Sequence, residues 1–175
     1  IASASTEPLI NFGKQALEDC KNNVPTEAIE QVALDIIIPA GLVSNFTVHE
    51  NNPDPAEDYY YNSSLAHCVY YGASLFPQCE HNHLHGEIVS FGVLCLLTYD
   101  EQLEERQRIF EFNHSIGLPC TLGEIALTPE DVPAIAHKAA SVVEWKYVPD
   151  NPAEEAFIKA IIATDKAGKE FLAQK

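Results

Sequence analysis

The chain has 175 residues, of which 46% are hydrophobic and 21% are charged, so it can form one globular domain with a sizeable core. Its 26 acidic and 10 basic residues give a formal net charge of −16, which would repel nucleic acid and anionic membranes. No apolar run reaches the roughly 18 residues of a membrane span, and the first residues lack the blocks of a signal peptide, so we expect a cytoplasmic protein.

The first predicted helix runs from Thr26 to Ile37, because apolar residues recur there at helical spacing and Pro25 lies near its start. The stretch from Glu50 to Asn62 contains two prolines and several Asn and Asp residues, which predicts a surface loop. Ser63 or Ser64 can cap a second helix that runs to about Phe76, before Pro77.

That second helix places His67 on the side opposite its apolar stripe, next to Tyr70 and Tyr71. The two tyrosines are interpreted either as lining a substrate pocket or as ordinary packing between helices.

Four more helices are predicted in the second half of the chain. The segment from Ile88 to Tyr99 is apolar all round, which is typical of a central buried helix. A charged helix runs from Asp100 to Ser115 and stops at Gly117, and further helices begin at Thr128 and Asn151. We find no convincing strand, and therefore predict a single all-α domain over residues 1–175, a bundle of about six or seven helices.

The cysteines are odd in number and form no C-x-x-C pair, which predicts reduced thiols rather than a disulfide framework. They are Cys20, Cys68, Cys79, Cys95 and Cys120. The sequence also contains no methionine and starts at Ile1. These two features predict that the sequence is part of a longer chain or that modified residues such as selenomethionine are missing from it. In the second case, every spacing between residues is a lower bound.

The stretch CEHNHLHGE, residues 79–87, concentrates thiol, imidazole and carboxylate groups. Abundance is not evidence of a metal site, because ligands must converge on one point. Prolines, Asn82 and Gly86 predict a loop between helices here. We therefore interpret His81 and His83 as solvated loop histidines, Glu80 as a solvated charge, and Cys79 as a small buried residue.

His85 differs because Gly86 and Glu87 lead directly into the predicted buried helix, with Gly86 permitting close backbone approach. His67 precedes it by 18 residues, on the non-core face of the preceding helix. If the two helices pack together, both imidazoles can converge in a cleft. Spacing alone does not separate this pair from two unrelated histidines. Glu87 is interpreted as a helix-start carboxylate or as a residue supporting the metal ligands.

Several motifs together resemble the C-terminal helical domain of the glycerol dehydrogenase branch of the iron-containing alcohol dehydrogenases, from about Ile10 to the end. They are Leu65-Ala66-His67, Tyr71-Gly72, LHGEIVSFGVL at residues 84–94, and SIGLP at residues 115–119. In that family an A-H-A-x-x-x-G helix and an L-H-G-E-x-V-x-x-G helix each give one histidine to a catalytic divalent metal. The resemblance therefore implies that His67 and His85 are metal ligands.

The resemblance also implies the activity, which is hydride transfer between NAD(P) and a polyol, hydroxy-ketone or small hydroxy acid, with zinc or iron(II) at the site. No catalytic residue beyond the metal ligands and no cofactor-binding residue is implied in this sequence. The family's third ligand is an aspartate in a G-D motif, and its NAD(P) is held mainly by an N-terminal α/β domain. Neither the G-D dipeptide nor a G-G-G-S-like turn occurs here. We also expect a homo-oligomer.

Two alternatives remain open. The related dehydroquinate synthase and glycerol-1-phosphate dehydrogenase enzymes share the H-G-E element. The G-H-x-x-G-H pattern of the synthases is absent, however, and a phosphate substrate would favour nearby basic residues, of which Lys21 alone occurs between Gln15 and Gln102. The chain could also be a helical metal-binding or oligomerisation module without catalysis.

Among the remaining candidates, His114 is predicted to cap its helix and Trp145 to lie in the core, whereas His49 and His137 receive no role.

Overall fold

The computed structural model describes residues 2–45, 47–48, 59–60, 64–148 and 152–175. The chain divides into two compact units, Ile1–Asn62 and Ser63–Lys175, and each is described by itself.

The first unit is mainly helical. Its elements are α1 (Ala2–Lys21), α2 (Glu27–Asp35), a π-helical turn (Ile36–Ala40), α3 (Gly41–Val43), and two short strands, β1 (Thr47–Val48) and β2 (Tyr59–Tyr60). The strands pair antiparallel, with Thr47 opposite Tyr60 and Val48 opposite Tyr59.

Thr26 connects α1 to α2. Its side chain accepts a hydrogen bond from the Ile29 N–H as the N-cap of α2, and its hydroxyl donates to the Asp19 carboxylate at 2.7 Å. The helix predicted from Thr26 is therefore confirmed at its start. Its end differs, because the α-helix changes to a π-helical turn that contains Pro39, and Ile36 and Ile37 are 59% and 70% exposed rather than buried.

The expectation of no strand is wrong in one place. β2 lies inside the stretch from Glu50 to Asn62 that was predicted to be a surface loop, and the rest of that stretch lies outside the described residues. The two-residue strands form the only sheet in the described part of the chain, so the all-α class is confirmed.

The second unit contains seven α-helices among its described residues and two 3₁₀ turns. They are α4 (Leu65–Ala73), α5 (Pro77–Glu80), α6 (His85–Tyr99), α7 (Leu103–Ile116), α8 (Val132–Ala139), α9 (Val143–Lys146) and α10 (Glu154–Leu172), with 3₁₀ turns at Gly123–Ile125 and Pro129–Asp131.

Most predicted helix ends in this unit are confirmed. Ser64 caps α4 by accepting from the Ala66 N–H, and Gly117 ends α7 with a φ of +80°. Thr128 forms a capping box with Asp131. Other boundaries differ: α4 ends at Ala73 rather than near Phe76, α6 begins at His85 rather than Ile88, and α7 begins at Leu103 rather than Asp100. Ala153 is the N-cap of α10, whereas Asn151 lies outside the described residues.

Helix α6 forms the centre of this unit, since it packs against α4, α7 and α10. Its Ile88, Phe91, Leu94 and Cys95 are fully buried, as predicted for an all-round apolar helix. Trp145 lies in the core, as expected, with its ring against Phe157. None of the described helices is long and apolar enough to cross a membrane.

Close contact between α4 and α6 depends on Gly92. A Cβ atom placed on Gly92 would clash with the carbonyl oxygen of Ala66, which is a backbone atom and cannot rotate away. The missing side chain therefore allows the two helix backbones to touch beside His67.

Four of the five cysteines are buried, and all five are free thiols. Burial raises the pKa of Cys68 and Cys120 to about 12 and that of Cys79 to about 11. Cys20 is exposed. The prediction of small buried residues therefore fits four of the cysteines and not Cys20.

Thiol reactivity should follow this burial. In the native protein at pH 8, a disulfide reagent such as DTNB is expected to modify only Cys20 rapidly, because the thiolate is the reacting species. All five thiols should react after denaturation. Mass mapping of the labelled peptides measures this, and rapid native labelling of Cys79 would contradict the burial described above.

Candidate metal centre

His67 and His85 lie next to each other. His67 is in the first turn of α4, and His85 is the first residue of α6. Their ring centroids are 5.5 Å apart, and the ring planes are tilted by 43°. The packing of α4 against α6 therefore brings together the two histidines that the sequence singled out.

The glycine responsible for this approach is not the predicted one. Gly86 was expected to permit a close backbone contact, but apart from its chain neighbours and its own helix backbone no atom of the described residues lies within 4 Å of a Cβ placed on it. The expectation is wrong because Gly86 is exposed at the first turn of α6. The contact occurs at Gly92, two turns further along, where α6 meets the Ala66 carbonyl.

The environment of His67 favours a neutral imidazole. Its Nδ1 atom is buried and has no hydrogen-bond partner among the described residues. Burial lowers the pKa of His67 first, and the positive charge of His85 lowers it further, whereas Glu144 opposes both by raising it. A neutral imidazole keeps a lone pair available for a metal ion.

The two tyrosines of α4, Tyr70 and Tyr71, contact different groups. The Tyr70 ring lies edge-on to the His85 ring, with centroids 4.4 Å apart. The Tyr71 hydroxyl donates to the Glu144 carboxylate on α9 at 3.2 Å. Tyr70 is therefore in contact with a candidate ligand, and Tyr71 connects α4 to α9.

A separate open cavity of about 670 Å³ lies in the second unit between the end of α6 and α10. Its lining includes Thr98, Tyr99 and Lys159, and it contains none of the predicted site residues. The cavity and the histidine pair are therefore different features of the unit.

The other groups of residues 79–87 do not join the pair. His81 is exposed, with its Nε2 atom 3.9 Å from a Glu80 carboxylate oxygen. His83 is half-buried, and its Nδ1 atom lies 3.4 Å from Glu87. Among the described residues, no group of three or more His, Cys, Asp or Glu side chains could hold a metal ion. The part of the chain that the structure describes thus supplies two converging candidate ligands.

Glu87 is located at the start of α6. Its carboxylate accepts the Leu84 N–H at 2.9 Å, which satisfies one of the free N–H groups at the helix start. The carboxylate also sits where the helix dipole favours negative charge.

Replacing Glu87 by glutamine should therefore affect stability more than metal binding. We expect the free energy of unfolding to fall by about 0.5–1 kcal/mol, since the charge at the helix start is lost. Urea unfolding and zinc titration measure the two quantities. A tenfold loss of zinc affinity without loss of stability would instead assign Glu87 to the support of the metal ligands.

The remaining histidines lie away from the pair. His114 is in the last turn of α7, edge-on to Phe171, and the Nδ1 atom of His137 is 3.5 Å from Glu154. His49 lies outside the described residues.

Sequence reasoning missed Glu144, which is 8% exposed on the short α9. A four-residue helix has too few turns to show a periodic pattern, so the sequence contains no signal for this residue.

Comparison with known proteins finds similarity to glycerol dehydrogenases. No family model matches the sequence. A glycerol dehydrogenase of Escherichia coli O6:H1 is 27% identical over 178 aligned residues, which cover 98% of this chain and 44% of that enzyme. A glycerol dehydrogenase of Pseudomonas putida is 33% identical over 115 residues, 62% of this chain and 31% of that enzyme.

Solved structures give the same fold. The crystal structure of a probable glycerol dehydrogenase from Sinorhizobium meliloti 1021 matches with a TM-score of 0.81 and 23% identity, over 97% of this chain and 45% of that one. The chain is thus similar in sequence and in fold to part of the glycerol dehydrogenases, as its motifs predicted. It spans less than half the length of these curated relatives.

Proposed function

We propose that this chain is the metal-binding helical part of an NAD(P)-dependent dehydrogenase of the glycerol dehydrogenase type, acting on a polyol, hydroxy-ketone or small hydroxy acid. The observation that supports it most is the convergence of His67 and His85 at a ring separation of 5.5 Å. The sequence similarity to glycerol dehydrogenases over nearly the whole chain supports the same class.

The histidine pair fits a divalent metal. An imidazole nitrogen binds zinc at about 2.0–2.1 Å, so two imidazoles sharing a tetrahedral ion have ring centroids roughly 5 Å apart. The observed 5.5 Å is close to that separation. The buried Nδ1 atom of His67 and its lowered pKa are consistent with a ligand that stays neutral. Zinc and iron(II) both accept such nitrogen ligands.

Each residue of the site would have a distinct role. His67 and His85 would bind the ion, and an aspartate outside this sequence, implied by the family resemblance, would complete the set. Bound there, the ion would supply Lewis-acid chemistry, lowering the pKa of a substrate hydroxyl. Tyr70 would hold the His85 ring in its orientation and border the space in front of it. Glu87 would stabilise the start of α6, and so the position of His85.

A non-catalytic metal-binding module is the second candidate. The similarity to glycerol dehydrogenases does not favour it, although the described residues supply two candidate ligands and a zinc site needs three or four. The family's NAD(P) would be held mainly by an α/β domain outside this sequence.

Titration of the full-length protein with NADH, together with a metal-dependence assay, separates the two candidates. Saturable NADH binding, together with NAD(P)-dependent oxidation of glycerol, diols or hydroxy acids that a chelator abolishes and zinc or iron(II) restores, supports the dehydrogenase. Zinc binding without NADH binding or turnover would assign the module. A protein that shows neither zinc binding nor turnover would contradict both candidates.

A further inference from the structure

Tyr70 contacts a candidate metal ligand directly. Its ring lies edge-on to the His85 ring, with centroids 4.4 Å apart and planes at 88°. Aromatic pairs usually have ring centroids about 4.5–7 Å apart, so these two rings are in close contact. His67 precedes Tyr70 by three residues, which places both residues on one face of α4. The side of His85 that faces Tyr70 is therefore occupied by an aromatic ring.

The Tyr70 ring is held by its neighbours. It is half-buried and packs against the hydrophobic core of the second unit. The Tyr71 ring lies beside it, with centroids 5.5 Å apart, and the Tyr71 hydroxyl donates to the Glu144 carboxylate. Tyr70 therefore cannot turn away from His85 without disturbing the contacts with the core and with Tyr71.

The backbone of α4 is fixed on either side of Tyr70. A Cβ atom placed on Gly72 would clash with backbone atoms of Ile135 on α8, including its carbonyl oxygen. Gly92 of α6 makes a similarly close contact with the Ala66 carbonyl. Because closely packed backbones resist displacement, α4 holds Tyr70 in a fixed position next to His85.

We propose that Tyr70 is a specificity-determining residue of the metal centre, whose ring forms a wall beside His85 and limits the length of the carbon chain that the site accepts. This inference rests on the proposed function, because it presupposes that His85 holds the ion to which the substrate hydroxyl binds. Such a hydroxyl lies beside His85, so a long carbon chain attached to it meets the Tyr70 ring. A short chain fits, whereas a longer one must displace a side chain that its neighbours hold.

Two vicinal diols that differ only in chain length test the inference. The kcat/KM values for the NAD(P)-linked oxidation of 1,2-propanediol and 1,2-hexanediol are measured with the full-length, metal-loaded protein. The wild type should prefer the shorter diol. In Tyr70→Ala the ratio of kcat/KM for the longer diol to that for the shorter one should rise about 10-fold or more, because removal of the ring opens space for methylene groups.

A size series at this position separates the ring from its hydroxyl. Tyr70→Phe keeps the ring and should keep the wild-type chain-length preference. Tyr70→Leu should shift the preference part of the way towards that of Tyr70→Ala, and Tyr70→Trp should sharpen it. The Kd of each diol, followed through the visible spectrum of the cobalt(II)-loaded protein, gives a second readout that needs no turnover, and the ratio of the two Kd values should follow the same order.

Tyr99→Ala is the matched control. It removes the same side chain from α6 at the separate open cavity, which contains none of the predicted site residues. The chain-length preference should stay at the wild-type value in this variant. Circular dichroism verifies that each variant is folded, and chelator competition verifies that each variant binds the metal ion.

The outcomes separate this inference from the proposed function. Wild-type preference in Tyr70→Ala and Tyr70→Leu, or an equal shift in Tyr99→Ala, would overturn the role of Tyr70 and leave His67 and His85 as candidate ligands. A shift in Tyr70→Phe as large as that in Tyr70→Ala would also overturn it, since the hydroxyl would then set the preference. If Tyr70→Ala does not fold, Tyr70→Leu and Tyr70→Trp decide in the same way. A wild type that binds no metal ion, or shows no metal-dependent oxidation of any polyol or hydroxy acid, would overturn the proposed function and this inference together.

Discussion

Replacing His85 by alanine should abolish metal-dependent turnover and weaken zinc binding by about 100-fold or more, because a site of three or four ligands loses one of them. His67→Ala should have the same effect, since the two rings lie next to each other at a centroid separation of 5.5 Å. Chelator competition gives the zinc affinity, and an NAD(P)-linked assay gives the turnover. Affinity in the wild type should also fall as the pH decreases, because protons compete for both imidazoles.

His83→Ala is the matched control for that experiment. His83 lies two residues before His85 and pairs with Glu87 instead of joining the site. Its replacement should leave zinc affinity and turnover unchanged. Retained turnover in His85→Ala, or equal losses in His83→Ala and His85→Ala, would remove His85 from the ligand set.

Replacing Gly92 by alanine should destabilise the protein and disturb the histidine pair at once. The added Cβ would clash with the Ala66 carbonyl oxygen, so α4 and α6 must move apart next to His67. Overpacking of this kind costs about 1–3 kcal/mol of the free energy of unfolding. We expect a corresponding decrease in urea resistance and a measurable loss of zinc affinity.

Gly86→Ala serves as the comparison, because it adds the same methyl group to the same helix at an open position. Alanine is the better helix former by about 0.8–1 kcal/mol, so this variant should be as stable as the wild type or more stable. If Gly92→Ala were equally stable and bound zinc with wild-type affinity, the helix contact would not determine the geometry of the site.

Features encoded by local chemistry could be predicted from the sequence. Ser64, Gly117 and Thr128 mark helix ends. The hydrogen bonds of Ser64 and Thr128 and the left-handed conformation of Gly117 involve only residues close in sequence. The all-round apolar character of α6 predicted its central position for a similar reason. The two histidines were selected by their place relative to these helices and by family motifs.

Features that depend on contacts distant in sequence could not be predicted. Whether Gly86 or Gly92 touches another backbone depends on where α4 crosses α6, which periodicity does not specify. Glu144 is separated from Tyr71 by 73 residues, so only the fold reveals their hydrogen bond. Ile36 and Ile37 are exposed in a π-helical turn that the periodic pattern does not indicate, and Leu34 just before it is 50% exposed as well.

Anomalous diffraction at the zinc absorption edge, from crystals of the protein equilibrated with zinc, tests the central claim most directly. The account predicts one strong peak within about 2.0–2.3 Å of a ring nitrogen of both His67 and His85. A peak at His81, His83 or Cys79 with none between His67 and His85 would contradict it, and would assign the metal to residues 79–83, which precede α6.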